Sequence, residues 1–417
     1  MITGEPDSAS LGSNRSNKTT FRIVAAILVL AVPTMAGLIT FSSLVRDNVG
    51  GVDGLRGVSS VAASPDGQNI YAVGKLEDAL AVFSRDRVDG SLQFLEVHRD
   101  GVDGVMGMRF PSAVAVSPDG RHVYIVAEVD DSLVVFQRDP GTGLLSFSEI
   151  YQDEVEGIFG LNGANAVAVT PDAKYVLVTG YTEDTLAVFV RQATSDELAF
   201  VDVEQDDDGL TEMLGPVSVS VSPDSRNVYV SAKLDEHISV FTEDPTRDGF
   251  IYVEKMLTAS MPTDVALDSR GQNAYITGGS WLQVARRDTT SGGLLPTWLF
   301  EDDLHGVDGL DGASAVAIMP IGDFTFVTGE EEHAVAVFTR DRSDGFLEFD
   351  SVYRDGVEGV DGIAYPVALA VSPDSQFLYV AGSGDDALAV FKLPDTRLIF
   401  LDGFESGDSS LWSATIP

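Results

Sequence analysis

The 417-residue chain contains no cysteine, which excludes a disulfide framework, thiol catalysis and thiolate metal sites. Histidine is scarce as well: His98, His122, His237, His305 and His333 are scattered, with no HExxH or other histidine-metal spacing. Basic residues are few, 26 Lys+Arg against 65 Asp+Glu, for a formal charge of −39. Such a field repels nucleic acid and anionic membranes and favours cations or basic partners; it also serves simply to solubilise a protein living in salt. What is present is a 44% hydrophobic content, which excludes a disordered chain.

The N-terminus carries an address. Arg15, Lys18 and Arg22 precede the apolar run "IVAAILVLAV", followed by Thr34 and Ala36 as small residues before Gly37. This is the pattern of a signal peptide over residues 1–36, cleaved before Gly37. An uncleaved anchor over residues 23–45 is the alternative. Either way the chain is expected to be exported.

Internal repeats decide the fold. Variants of "AVSPDG" place Pro65, Pro118, Pro171, Pro223, Ser269, Pro320 and Pro373 at equivalent points, 46 to 53 residues apart. Each unit offers four short apolar runs, such as "SAVAV", "HVYIV", "SLVVF" and "LLSFSEIY", broken by Pro-Asp-Gly or acidic turns. Four strands per unit and seven units predict an all-β, seven-bladed β-propeller with four antiparallel strands per blade, over residues 37–402. A polar tail, 403–417, follows. The ring must close, and two segments compete to supply the outermost strand of the last blade: "GLITFSSLVRD" (37–47) and "TRLIFLDGF" (396–404).

Antiparallel topology puts the inter-blade loops and the second-to-third turns on one face, and both are rich in acid. The recurring loop is "RDGVDGVMGM", with near copies such as "RDGVEG". Two readings of it stay open. It is a glycine turn whose aspartate caps local N–H groups, or a calcium loop built from Asp100, Asp103, Asp153, Glu156, Asp302, Asp355 and Glu358, although it lacks the EF-hand spacing. Departures from the repeat mark places where function is grafted or has drifted. His305 replaces the second acid of its loop, and Asp264 stands in the short fifth unit where others carry Ala or Ser.

The stretch "VAVSPDGRHVYIVAEVDDSLVVFQRDPGTGLLSF" (114–147) resembles the repeat of the seven-bladed lactonase family, which includes 6-phosphogluconolactonase-like and carboxymuconate-cyclase-like proteins. The resemblance implies lactone ring opening or closure and covers roughly residues 37–402, weakening in the fifth unit. No catalytic motif of the family carries over residue by residue. The acidic face argues against a sugar-phosphate substrate, which favours Arg and Lys. Two functions are expected. The first is an exported, monomeric binding module for a small molecule, extracellular protein or glycan, working through the acidic face with calcium and no organic cofactor. Its rival is a lactonase-type hydrolase at the channel mouth, with His305 or Asp264 as base and Arg109 or a bound cation as electrophile.

Overall fold

The computed structural model describes residues 39–192, 197–205 and 213–394. The signal segment 1–36, all but the last seven residues of the anchor alternative 23–45, the tail and the rival closing segment 396–404 lie outside them. The described residues form seven four-stranded antiparallel sheets and contain no helix. Blade 1 shows the unit: an innermost strand Val58–Ala63, then Asn69–Gly74, Ala79–Arg85 and an outermost Leu92–Arg99. Blades 2 to 6 repeat it over residues 111–152, 164–205, 216–257, 264–301 and 313–354, and blade 7 supplies three strands within residues 366–392.

The closing strand is Thr40–Arg46. It pairs antiparallel with Ala387–Lys392, as the N-terminal candidate predicted. Phe41 packs edge-on against Phe391, with centroids 5.7 Å apart, and Tyr353 of blade 6 donates a hydrogen bond to the Ile39 carbonyl at 2.8 Å. The pairing satisfies an edge that would otherwise lie open.

The core sits between blades. The second strands are fully buried along their length, as in "NIYAVG" and "HVYIVA", and their large residues interleave with those of the next blade. The seven innermost strands form a ring, and their second- and third-position side chains are half-buried around the axis. Hydroxyls stitch this ring: Ser59 donates to the Pro111 carbonyl, Ser112 to Ala164, Thr263 to Ala313 and Ser314 to Pro366, at 2.7–3.0 Å.

Candidate functional site at the loop face of the channel

The loop "RDGVDGVMGM" is drawn into the blade by its apolar residues. Val105 and Met108 are buried, as are Val52 and Leu55, Ile158 and Leu161, Val307 and Leu310, Val360 and Ile363 in the sister loops. Its first aspartate closes the turn. Asp47, Asp100, Asp153, Asp302 and Asp355 each accept the backbone N–H eight residues on, at 2.9–3.1 Å. The second acid of the loop occupies a left-handed position, with φ of 51° at Asp103, 55° at Glu156 and 52° at Glu358, where Gly50 and His305 stand in the other loops. These side chains are exposed.

The turn acids also serve loop amides. Asp130, Asp235 and Asp385 accept the N–H of Arg109, Leu214 and Ala364. Asp78, Asp131, Asp184 and Asp386 accept an N–H from the loop that leads into the next blade. In blade 6 the Nδ1 of His333 does the same for Tyr365, at 2.9 Å. Both acidic rings are thus largely engaged in holding the loops.

Of the seven acids proposed as metal ligands, Asp302 and Asp355 enter compact acid triads, Asp302/Asp308/Glu332 and Asp355/Asp361/Asp385. A third triad is Asp47/Asp53/Glu77. Asp100, Asp103, Asp153, Glu156 and Glu358 belong to no such triad among the described residues. Each triad already receives a guanidinium: Arg99 at 2.5 Å from Asp53, Arg354 at 2.6 Å from Asp308, and Arg46 at 2.9 Å from Asp361.

The three residues expected to carry catalysis do not meet. His305 is exposed at its left-handed turn. Arg109 is exposed and paired with Asp130 at 2.6 Å. Asp264 lies in the channel wall, in register with Ala113 and Ser218 of other blades. Its Oδ1 accepts from the Ser218 hydroxyl at 2.6 Å and the Val265 amide, and its Oδ2 accepts from the Val316 amide at 3.0 Å. Burial raises its pKa, against the pull of these hydrogen bonds. Asp264 therefore joins blades 4, 5 and 6, as Ser60 joins blade 1 to Val114 of blade 2.

A different constellation occupies the mouth. Lys75, Lys233 and Glu330 are each the first residue after the second strand of blades 1, 4 and 6, ten positions after the repeat proline. Their backbone N–H groups bond the Gly57, Gly215 and Gly312 carbonyls in turn, so the three sit at the same height on the same face. Glu330 is half-buried, and burial, then neighbouring Glu331, push its pKa up; the ammonium groups of Lys75 and Lys233 pull it back. Blades 1 and 4 each stand two places round the ring from blade 6, on opposite sides. Glu330 thus feels a cation from either direction round the ring. Lys75 also lies over the Phe110 ring, 5.7 Å from its centroid.

The mouth therefore carries cations that a count of loop acids obscured. The acids are held at the loop amides, whereas the lysines project from the inner ends of the turns. Their signal in the sequence is the fixed offset from the proline, where Lys75, Glu128, Tyr181, Lys233, Gly279, Glu330 and Ser383 differ in charge and size while the second strands before them are buried in every blade.

A ring of seven four-stranded antiparallel blades around an axial channel defines a seven-bladed β-propeller. The chain matches the family model described as Lactonase, 7-bladed beta-propeller, over residues 26–155 and 308–408, more than half its length, and it belongs to that family. Among curated relatives, the 6-phosphogluconolactonase of Pectobacterium carotovorum subsp. carotovorum (strain PC1) is 25% identical over 146 residues, covering 35% of this chain and 43% of the relative. That of Formosa agariphila is 29% identical over 89 residues, covering 21% and 24%. The alignments thus span less than half of these relatives' length. Similar solved structures include the Pseudomonas aeruginosa periplasmic gluconolactonase, with TM-score 0.58, 17% identity and coverage of 72% and 85%. Kuenenia stuttgartiensis hydrazine synthase gives TM-score 0.59, 19% identity and coverage of 83% and 98%. At these identities the likeness is one of fold.

Proposed function

We propose that this chain is a lactone hydrolase working at the loop-face mouth of its axial channel, outside the cytoplasm. The observation that carries the reading is the placing of Glu330, Lys75 and Lys233 at one height on the loop face, with both ammonium groups lowering the Glu330 pKa against its burial. Membership of the lactonase family and the 6-phosphogluconolactonase relatives support the chemistry. The signal-like residues 1–36 and the shared fold of a periplasmic gluconolactonase support the location.

Ionised Glu330 takes a proton from water as the oxygen attacks the lactone carbonyl. The lysine ammonium groups stabilise the oxyanion of the tetrahedral intermediate in a partly desolvated site. Collapse breaks the ring C–O bond, and Glu330 returns the proton to the departing alkoxide, leaving a hydroxy acid. The experiment is a lactone panel with Glu330→Gln, Lys75→Ala and Lys233→Ala. Loss of the base should lower kcat by about 10²–10⁴. Because the ionised form acts, and burial raises its pKa, the rising limb of kcat/KM should lie above the ordinary carboxylate range. Turnover unchanged in Glu330→Gln would overturn the assignment.

A further inference from the structure

The arginine that neutralises each acid triad follows a rule visible in the repeat. The eighth loop position is Asp53, Asp308 or Asp361 where the outermost strand of the blade it opens ends in Arg99, Arg354 or Arg46. The loops opening blades 2 and 3 break both halves of the rule together. They carry Met106 and Phe159, which are 57% and 52% exposed, and their outermost strands end in Gln152 and Gln205. Charge pairs have been exchanged for large apolar side chains and neutral amides in two adjacent blades.

In blade 2 the acid that the missing arginine would serve, Asp130, is taken by Arg109; in blade 3 it remains. Glu183 of blade 3 stands at the place of Glu77, and burial together with Asp153, Glu154 and Asp131 raises its pKa. Beside it, Val129 and Tyr181 add exposed apolar surface. At the outer edge the same two blades leave an open depression of about 460 Å³, lined by Gln152, Val155, Glu156, Ile158 and Phe200. An apolar patch beside Glu183, whose only side-chain partner among the described residues is the neutral Asn162, has the shape of a site whose cation comes from elsewhere.

We propose that blades 2 and 3 form a docking surface for a partner protein, through a basic segment in which arginine or lysine stands beside large apolar residues. The partner's cation takes the place that Arg99 fills in blade 1, and its apolar neighbour covers Met106 or Phe159. The full chain is tested by titration with the peptide acetyl-LRFRLR-amide, and with the same peptide carrying glutamate for arginine. The repaired variant M106D/Q152R/F159D/Q205R restores the pattern of blades 1, 6 and 7. The wild type should bind the basic peptide, more weakly at higher salt. The repaired variant should keep its melting temperature and bind about tenfold or more weaker, a loss of about 1.4 kcal/mol. Binding unchanged in the repaired variant, equal binding of the acidic peptide, or no binding by the wild type would each overturn the proposal. So would a wild-type dimer in sedimentation that the repaired variant abolishes, since the occupant would then be a second copy.

Discussion

Arg138 ends the third strand of blade 2 and reaches into blade 1. Its Nε donates to Tyr71 Oη at 2.7 Å, and its other nitrogens donate to Asp66, Asn69 and the Gly120 carbonyl at 2.8–2.9 Å. Arg85 and Arg287 repeat the clasp with Tyr379 and Asp374, and with Tyr229 and Asp224. Burial pushes the Tyr71 and Tyr229 phenols up to about 12, despite the neighbouring guanidinium groups. Between blades 3 and 4 the charges are inverted, with Lys174 2.9 Å from Glu243. Between blades 6 and 7 they are gone: Leu393 packs with Phe324, Phe326 and Met319. Breaking a buried pair strands its partner, so Arg138→Leu alone should cost roughly 3–5 kcal/mol in denaturant unfolding. Adding Tyr71→Phe and Asp66→Ile, after the blade 6 residues Phe326 and Ile321, should recover much of that loss. A second residue sets a pH dependence. Glu204 faces Asp202, Asp244 and Arg247, and burial, then Asp202, push its pKa up to about 7. The fold holds this proton more tightly than the unfolded chain does, so the contribution is complete in acid and lost as pH rises toward about 7. Glu204→Gln should therefore raise the melting temperature at pH 8 and leave it unchanged at pH 4.

Among the elements, Thr40–Arg46 is the strand whose removal the ring should feel most, because it alone closes the sheet across the chain's two ends. Its side chains act as well as its backbone: Phe41 covers Phe391, and Arg46 bridges Asp361 and Asp385. A chain beginning at residue 48 should melt roughly 5–10 °C lower by calorimetry; an unchanged melting temperature would mean that the edge is filled otherwise. This strand was legible because a repeat exposes its own missing part: "GLITFSSLVRD" matches the fourth-strand phrase before any first strand has appeared. The loop was legible only as a choice. An aspartate that caps an amide and one that ligates calcium look alike in "RDGVDG"; the cap is seen in the bond from the buried Met108 N–H to Asp100, and the calcium reading is left to measurement. The mouth was legible as a place but not in its residues. Lys75, Lys233 and Glu330 stand 97 to 255 residues apart and meet only because the ring brings blades 1 and 4 to either side of blade 6.

For the whole molecule, the acids of the inter-blade loops and second-to-third turns are gathered on one face by topology rather than by local sequence. Amide hydrogen bonds and the three arginines offset part of the repulsion among the loop acids, but Glu183, Glu330 and Glu332 all keep a raised pKa, for which burial is the largest cause and neighbouring carboxylates the next. Repulsion of this kind acts over distances comparable to the Debye length, about 10 Å at 0.1 M salt, so it should yield to ionic strength. Raising NaCl from 20 to 500 mM should increase the melting temperature by several degrees. The same measurement separates screening from a specific ion. With Arg99, Arg354 and Arg46 already seated in the triads, calcium should stabilise no more than magnesium at equal ionic strength. A rise given by calcium alone would mean that a triad exchanges its guanidinium for metal, and Arg99→Gln should then enlarge that rise. If guanidinium and screening hold the face together, Arg99→Gln should instead lower the melting temperature in either salt, and most in the more dilute one.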